Sequence, residues 1–188
     1  MQKIRAREDS ASIATADRLH VQLMSSSWGS GNATVAMTSQ NNYNIAYDNH
    51  RYQKYDPSVE VSKSGYIDDA CGFTPGPESP IITGEWSISP SSEVEKNSDW
   101  IQTNTSNNEF YKQWFAAQIT GYERGLGWVF WAWKQQLNDY RWGYQGESTI
   151  HWPILSLFFY TNCLDAVNAG VVPTNISSLF SLGACDGQ

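Results

Sequence analysis

Three short segments gather the side chains able to do chemistry: Asp48-Asn49-His50-Arg51-Tyr52, Gly84-Glu85-Trp86-Ser87 and Trp131-Ala132-Trp133-Lys134. Together they supply carboxylates, an imidazole, a phenol and indoles. A carboxylate can attack an electrophilic carbon and form an ester, while neighbouring polar groups orient it. Flat indoles can hold a sugar ring, whose faces carry C–H patches between the hydroxyls. The set suits chemistry at an anomeric carbon. Each residue also has a plainer reading: Glu85 as a solvated charge at a strand end, His50 as a hydrogen-bonded core imidazole.

Something must bring these segments to one place. Four apolar, β-rich runs are bounded by Gly, Pro, Asn or Ser, as strands usually are: 18–24, 44–50, 80–86 and 127–133. The stretches between them are long enough for crossover helices. In the clearest, Phe110 to Arg124, the residues Tyr111, Trp114, Phe115, Gln118 and Tyr122 recur at helical spacing. Asn107 or Asn108 is placed to cap its start, and Gly125 just past its end is expected in a left-handed conformation. A shorter helix is predicted within Ser58 to Cys71, and Met1 to Arg7 reads as the tail of a helix.

Strand and helix alternating at this pitch predict parallel β/α units. Four such units are half of a (β/α)8 barrel, which needs about 250 residues when closed. An open doubly wound sheet is the alternative, but no Gly-rich phosphate loop follows any strand. The expected fold class is therefore α/β, the C-terminal half of a (β/α)8 TIM barrel, as one partial domain over 1–188. In such barrels the working residues sit at the C-terminal ends of the strands. The three segments singled out above lie there.

Composition narrows the partners. The chain has 188 residues, 16% of them charged, and a net charge of −7, which argues against nucleic acid. No stretch reaches the roughly 20 apolar residues of a membrane span. The opening residues Met1 to Asp9 are polar, so no signal peptide is visible there. Nine Trp, ten Tyr and seven Phe suit either a core or a sugar-binding groove. The three cysteines, Cys71, Cys163 and Cys185, follow no metal-ligand spacing, and no cofactor or metal is expected.

In combination the motifs resemble fungal glycoside hydrolase family 5, nearest its secreted endo-β-1,6-glucanases, with the exo-β-1,3-glucanases as cousins. The resemblance rests on His50-Arg51-Tyr52, on Ile82-Thr83-Gly84-Glu85-Trp86-Ser87, and on Gly127 to Lys134. It extends to His20-Val21-Gln22-Leu23-Met24, Trp28-Gly29-Ser30-Gly31, Tyr111 to Gln118 and Asp139-Tyr140-Arg141-Trp142. It implies that Glu85 is the nucleophile of a retaining double displacement, and that His50 and Tyr52 contact both nucleophile and sugar. Trp131 or Trp133 would be the sugar-stacking platform; the two share a strand face, so alternation leaves them equivalent. Trp86, Trp114 and Trp128 read as core. The implied partner is a β-glucan polysaccharide of cell walls, met outside the cell.

Retaining hydrolysis needs a second carboxyl roughly 5–5.5 Å from the first, as acid and base. In the family it is the Glu of an Asn-Glu-Pro motif on the fourth barrel strand, and this chain is read as starting after it. Asn108-Glu109-Phe110 is the one look-alike, and Glu109 is better explained by a helix N-terminus that favours negative charge. The expectation is negligible hydrolysis by this polypeptide alone, since general acid help is worth about 10²–10⁴-fold. A non-catalytic β-glucan-binding module and a truncated gene product are the competing readings.

Residues 146–164 depart from the family. The apolar run His151 to Tyr160 reads either as a short core element or as a retained intron, and Cys163 falls inside it. The resemblance implies a bridge between the remaining Cys71 and Cys185, with two free thiols as the alternative in a reducing compartment.

Overall fold

The computed structural model describes residues 2–25, 45–76, 79–132, 134–135, 139–143, 145–146, 165–173 and 175–187. Three strands, β1 (Val21–Met24), β2 (Ile45–Arg51) and β3 (Ile81–Trp86), form a parallel sheet in sequence order. Helix α1 (Gln2–Ser10) precedes β1, α2 (Lys63–Cys71) lies between β2 and β3, and α3 (Asn108–Tyr122) follows β3. The remaining elements are short: a parallel pair β4 (Lys134–Gln135) and β5 (Gln145–Gly146), then α4 (Asp165–Asn168) and α5 (Ser177–Phe180).

A fourth lane runs beside β3. Leu126 N–H donates to Ile81 O at 2.7 Å, Thr83 N–H to Gly127 O at 3.0 Å, Val129 N–H to Thr83 O at 2.8 Å, and Trp131 N–H to Trp86 O at 2.9 Å. Thr83 and Trp128 form a parallel bridge. The apolar run expected at 127–133 thus pairs as the strand pattern demands, as far as residue 131. Trp133 and residues 147–164 of the late insert, Cys163 included, lie outside the described residues, as does Trp28-Gly29-Ser30-Gly31.

The helices form where local chemistry starts and stops them. Ser62 caps α2 by accepting from Gly65 N–H at 2.9 Å. The helix occupies the later part of the expected range 58–71, because Ser58 N–H is held in a turn by Asp56 Oδ1 at 2.9 Å. Along α3 every apolar position of the predicted stripe is buried, Tyr111, Trp114, Phe115 and Tyr122 among them. Its start differs from expectation: Asn107 makes no side-chain cap. Its amide instead donates to Ser98 O and Ile101 O at 3.1 and 3.0 Å.

Gly125 is also a correction. Its φ is not positive; the glycine with positive φ in this loop is Gly127, at φ +116°. Gly125 is needed because a Cβ there would stand 2.6 Å from Ile81 O, where the chain turns in against β3.

Among the described residues most aromatic side chains are core. Trp86, fully buried, meets Phe115 and Phe130 at ring-centroid distances of 4.9 Å, and Tyr122 and Trp128 at 5.4 Å. Trp114 stacks on Tyr66 at 4.5 Å. Alternation along β3 sends Trp86 into this layer and leaves its neighbour Glu85 on the other face. Cys71, at the end of α2, is joined to Cys185 by a disulfide.

Candidate active site

The C-terminal end of β2 meets the C-terminal end of β3, and a register shift decides how. Tyr47, Asp48 and Asn49 pair with Ile81, Ile82 and Thr83, but the next pairs are His50 with Glu85 and Arg51 with Trp86. Gly84 is the residue passed over. An irregularity of this kind re-aims the side chains beyond it, and here it sets Glu85 directly beside His50.

Two groups converge on one oxygen of Glu85. Tyr52 Oη donates to Oε2 at 2.9 Å, and His50 Nδ1 stands 3.3 Å from the same atom. The carboxylate is a quarter exposed, enough to meet a ligand while held on one side. Burial, and then the hydrogen bond and charge of Glu85, push the Tyr52 phenol well above the usual tyrosine range. Tyr52 therefore keeps its proton and remains a donor.

The loop after β2 is pinned from beneath. Gln53 is buried: its Oε1 accepts from Trp114 Nε1 at 2.6 Å, and its Nε2 donates to Tyr66 O at 2.8 Å and Asp69 Oδ2 at 2.5 Å. Arg51 Nη2 donates to the same Asp69 oxygen at 2.7 Å. With its neighbours on both sides fixed, Tyr52 has little freedom to leave Glu85.

Above Tyr52 lies an aromatic rim. Its ring centroid is 5.8 Å from Trp142 and 6.0 Å from Tyr55, which is 67% exposed. A cleft of about 410 Å³ opens here, lined by Asn49, His50, Tyr52 and Tyr55 among others. Lys54 Nζ sits 5.8 Å over the Trp142 ring and is paired with Glu95. Asp139 and Arg141, a buried bidentate pair with bonds of 2.6–3.0 Å, hold the turn that carries Trp142. From the other side comes Trp131, half exposed, with its N–H bonded to the residue after Glu85 and a cis peptide to Ala132.

His50, Tyr52, Glu85 and Trp131 are thus found on neighbouring strand ends. Glu109, rejected as an acid, lies on the exposed first turn of α3 and accepts from Gln113 at 3.0 Å. Trp86 and Trp114 are fully buried and Trp128 half-buried, its Nε1 donating to Glu123 at 2.9 Å. Among the described residues no group of three or more His, Cys, Asp or Glu is placed to hold a metal ion. Sequence reasoning gave no role to Asp48, Lys54, Glu95 or Trp142. For Asp48 a signal existed: 48, 50 and 52 alternate at period two, which puts them on one side of the strand.

Comparison with known proteins finds relatives along nearly the whole chain. A protein of Aspergillus terreus named "Probable glucan endo-1,6-beta-glucosidase B" is 42% identical over 184 residues, 98% of this chain and 40% of that protein. The chain's homologues are glycosidases. The glucan endo-1,6-beta-glucosidase B of Emericella nidulans is 43% identical over 97% of this chain and 39% of its own length. Glucan 1,3-beta-glucosidase 1 of Schizosaccharomyces pombe is 33% identical over 52% of the chain. The chain spans about 40% of the length of the endo-1,6 relatives it matches. No protein-family model matches it.

Proposed function

We propose that this chain carries the nucleophile side of a retaining β-glucan hydrolase with endo-β-1,6-glucanase-like specificity. The observation that carries the reading is the convergence of Tyr52 and His50 on Glu85 Oε2 at adjacent strand ends. A carboxylate so held is oriented for in-line attack and has one face free. Glu85 attacks the anomeric carbon; the new C–O ester bond forms as the glycosidic C–O bond breaks, and its electron pair leaves on the departing oxygen. Water then cleaves the ester and regenerates the carboxylate. Trp131, on the neighbouring lane, offers the exposed indole on which the sugar stacks.

The departing oxygen of an ordinary glucan needs a proton. In this reading the donor belongs to the part of the relatives' length that this sequence does not span. The four parallel lanes and their helices are then one half of a (β/α)8 barrel. Preference for the 1,6 over the 1,3 linkage is supported by 43% identity along 97% of the chain, against 33% along 52%. The Cys71–Cys185 bridge fits an oxidising, extracellular setting.

The test separates nucleophile from acid. A 2-deoxy-2-fluoro-β-glucoside with a dinitrophenolate leaving group departs without proton donation, so Glu85 alone should trap it. Peptide mass mapping is expected to find the ester on Glu85 and no adduct in Glu85→Gln. A label on another residue, or none, sinks the assignment. Reducing-end release from β-1,6-glucan should be negligible; brisk release would overturn the division of labour.

A further inference from the structure

The carboxylate of Asp48 lies where no side chain at position 84 could coexist with it. A Cβ on Gly84 would be 2.0 Å from Asp48 Oδ1, 2.8 Å from Cγ and 2.9 Å from Oδ2. Oδ2 accepts from Gln22 Nε2, on β1, at 2.8 Å. Oδ1 is buried and, among the described residues, without a hydrogen bond; His50 Nε2 is 3.6 Å away. Burying a carboxylate oxygen without a donor is costly, and this one faces the imidazole. The opposite ring nitrogen, Nδ1, is the one that approaches Glu85.

We propose that Asp48 is the positioning residue of the site, holding the His50 ring so that Nδ1 faces the nucleophile, and that Gly84 is glycine in order to admit it. The proposal rests on the reading of Glu85 given above. The partner of one imidazole nitrogen fixes what the other can do, and a bracketed ring cannot flip without losing both carboxylates. Gly84 also takes up the register shift, so one residue without a side chain aligns His50 with Glu85 and opens the space for Asp48. Asp48 touches no reacting atom in this scheme. Its effect passes through His50.

Long-range 1H–15N spectra of the whole chain test this without any reaction. Asp48→Asn should move the His50 ring nitrogen resonances by more than their linewidth. Gly84→Ala should do the same by displacing the carboxylate, and Gln22→Ala should not. Trapping of Glu85 by the activated fluoroglucoside should slow about 10–100-fold in Asp48→Asn, with binding of the probe unchanged. His50 resonances unmoved in Asp48→Asn overturn the proposal. So does equal movement in Gln22→Ala, which would make Asp48 a mere link between β1 and β2. If Asp48→Asn does not fold, Gly84→Ala against Gln22→Ala decides by the same criterion. If the wild-type chain is not trapped at Glu85, the hydrolase reading fails while the spectra still judge Asp48.

Discussion

Tyr52 and Glu85, 33 residues apart in sequence, are joined by a 2.9 Å hydrogen bond from phenol to carboxylate. The bond ties the loop after β2 to the end of β3. It also leaves only part of the carboxylate free to react. Removing the hydroxyl in Tyr52→Phe keeps the ring packing and deletes one donor to a charged acceptor, worth about 1.5–3 kcal/mol. Trapping of Glu85 by the activated fluoroglucoside should slow about 10–100-fold, while the melting temperature moves by a few degrees at most. A trapping rate equal to wild type would remove Tyr52 from the site.

Glu85 is a quarter exposed and stands outside the core, so its loss should separate chemistry from folding. Glu85→Gln is expected to reduce trapping by more than about 10³-fold. Stability in urea should change by less than about 1 kcal/mol. Trp86→Ala is the contrasting variant: emptying a fully buried indole site should cost about 3–5 kcal/mol.

Trp131 is half exposed while Trp86 and Trp114 are sealed, so glucan retention should be sensitive to the first alone in a folded protein. In affinity electrophoresis through β-1,6-glucan, Trp131→Ala should bind about tenfold more weakly, a loss of about 1.4 kcal/mol. Unchanged retardation would show that the sugar stacks elsewhere.

Glu95 gives a pH signature. Burial pushes its carboxyl up, but the hydrogen bond and charge of Lys54, with Arg141 and Lys96 behind, outweigh burial and hold it below the usual range. A carboxyl whose folded pKa is depressed stabilises the fold above its ordinary pKa and loses that contribution as pH falls through the folded value. Wild type should therefore exceed Glu95→Gln by about 1–2 kcal/mol at neutral pH. The gap should close below the usual glutamate range, as read from melting curves at stepped pH. A gap constant down to the acid limb would mean that the pair is not what stabilises this corner.

The Cys71–Cys185 bridge closes a loop with a sequence separation of 114. Constraining a chain that long should contribute roughly 4–5 kcal/mol in the chain-entropy account. Cys71→Ser with Cys185→Ser is expected to lower the urea midpoint accordingly, and dithiothreitol should reproduce the shift in wild type alone. Equal stability of the two proteins would contradict it.

Much of the fold was legible because its signals are local. The stripe of α3 repeats every three to four residues within one segment. The strand runs are bounded by residues that break strands. The candidate site was half legible: His50, Tyr52, Glu85 and Trp131 stand on strand ends by pattern and by resemblance. Asp48 was visible as a residue but not as a partner, because its meaning depends on the absence of a side chain at position 84. Lys54 and Glu95 carry no local signal, and Trp142 only its place in a resembling motif; they meet across 41 residues in one case and through separate loops in the other.

The amino-acid order determined which segments become strands and helices, which faces are apolar, and that one carboxylate, one imidazole and one phenol stand at strand ends. Periodicities of two and near 3.6 suffice for that, and each is satisfied within a few neighbouring residues. Only the tertiary structure decided that the pairing slips past Gly84, that His50 rather than Arg51 stands beside Glu85, and that Gly125 is required by the Ile81 carbonyl instead of by a left-handed turn. Register and close approach are agreements between segments far apart in the chain, settled by packing and hydrogen bonding between them, and no single stretch of sequence contains both parties.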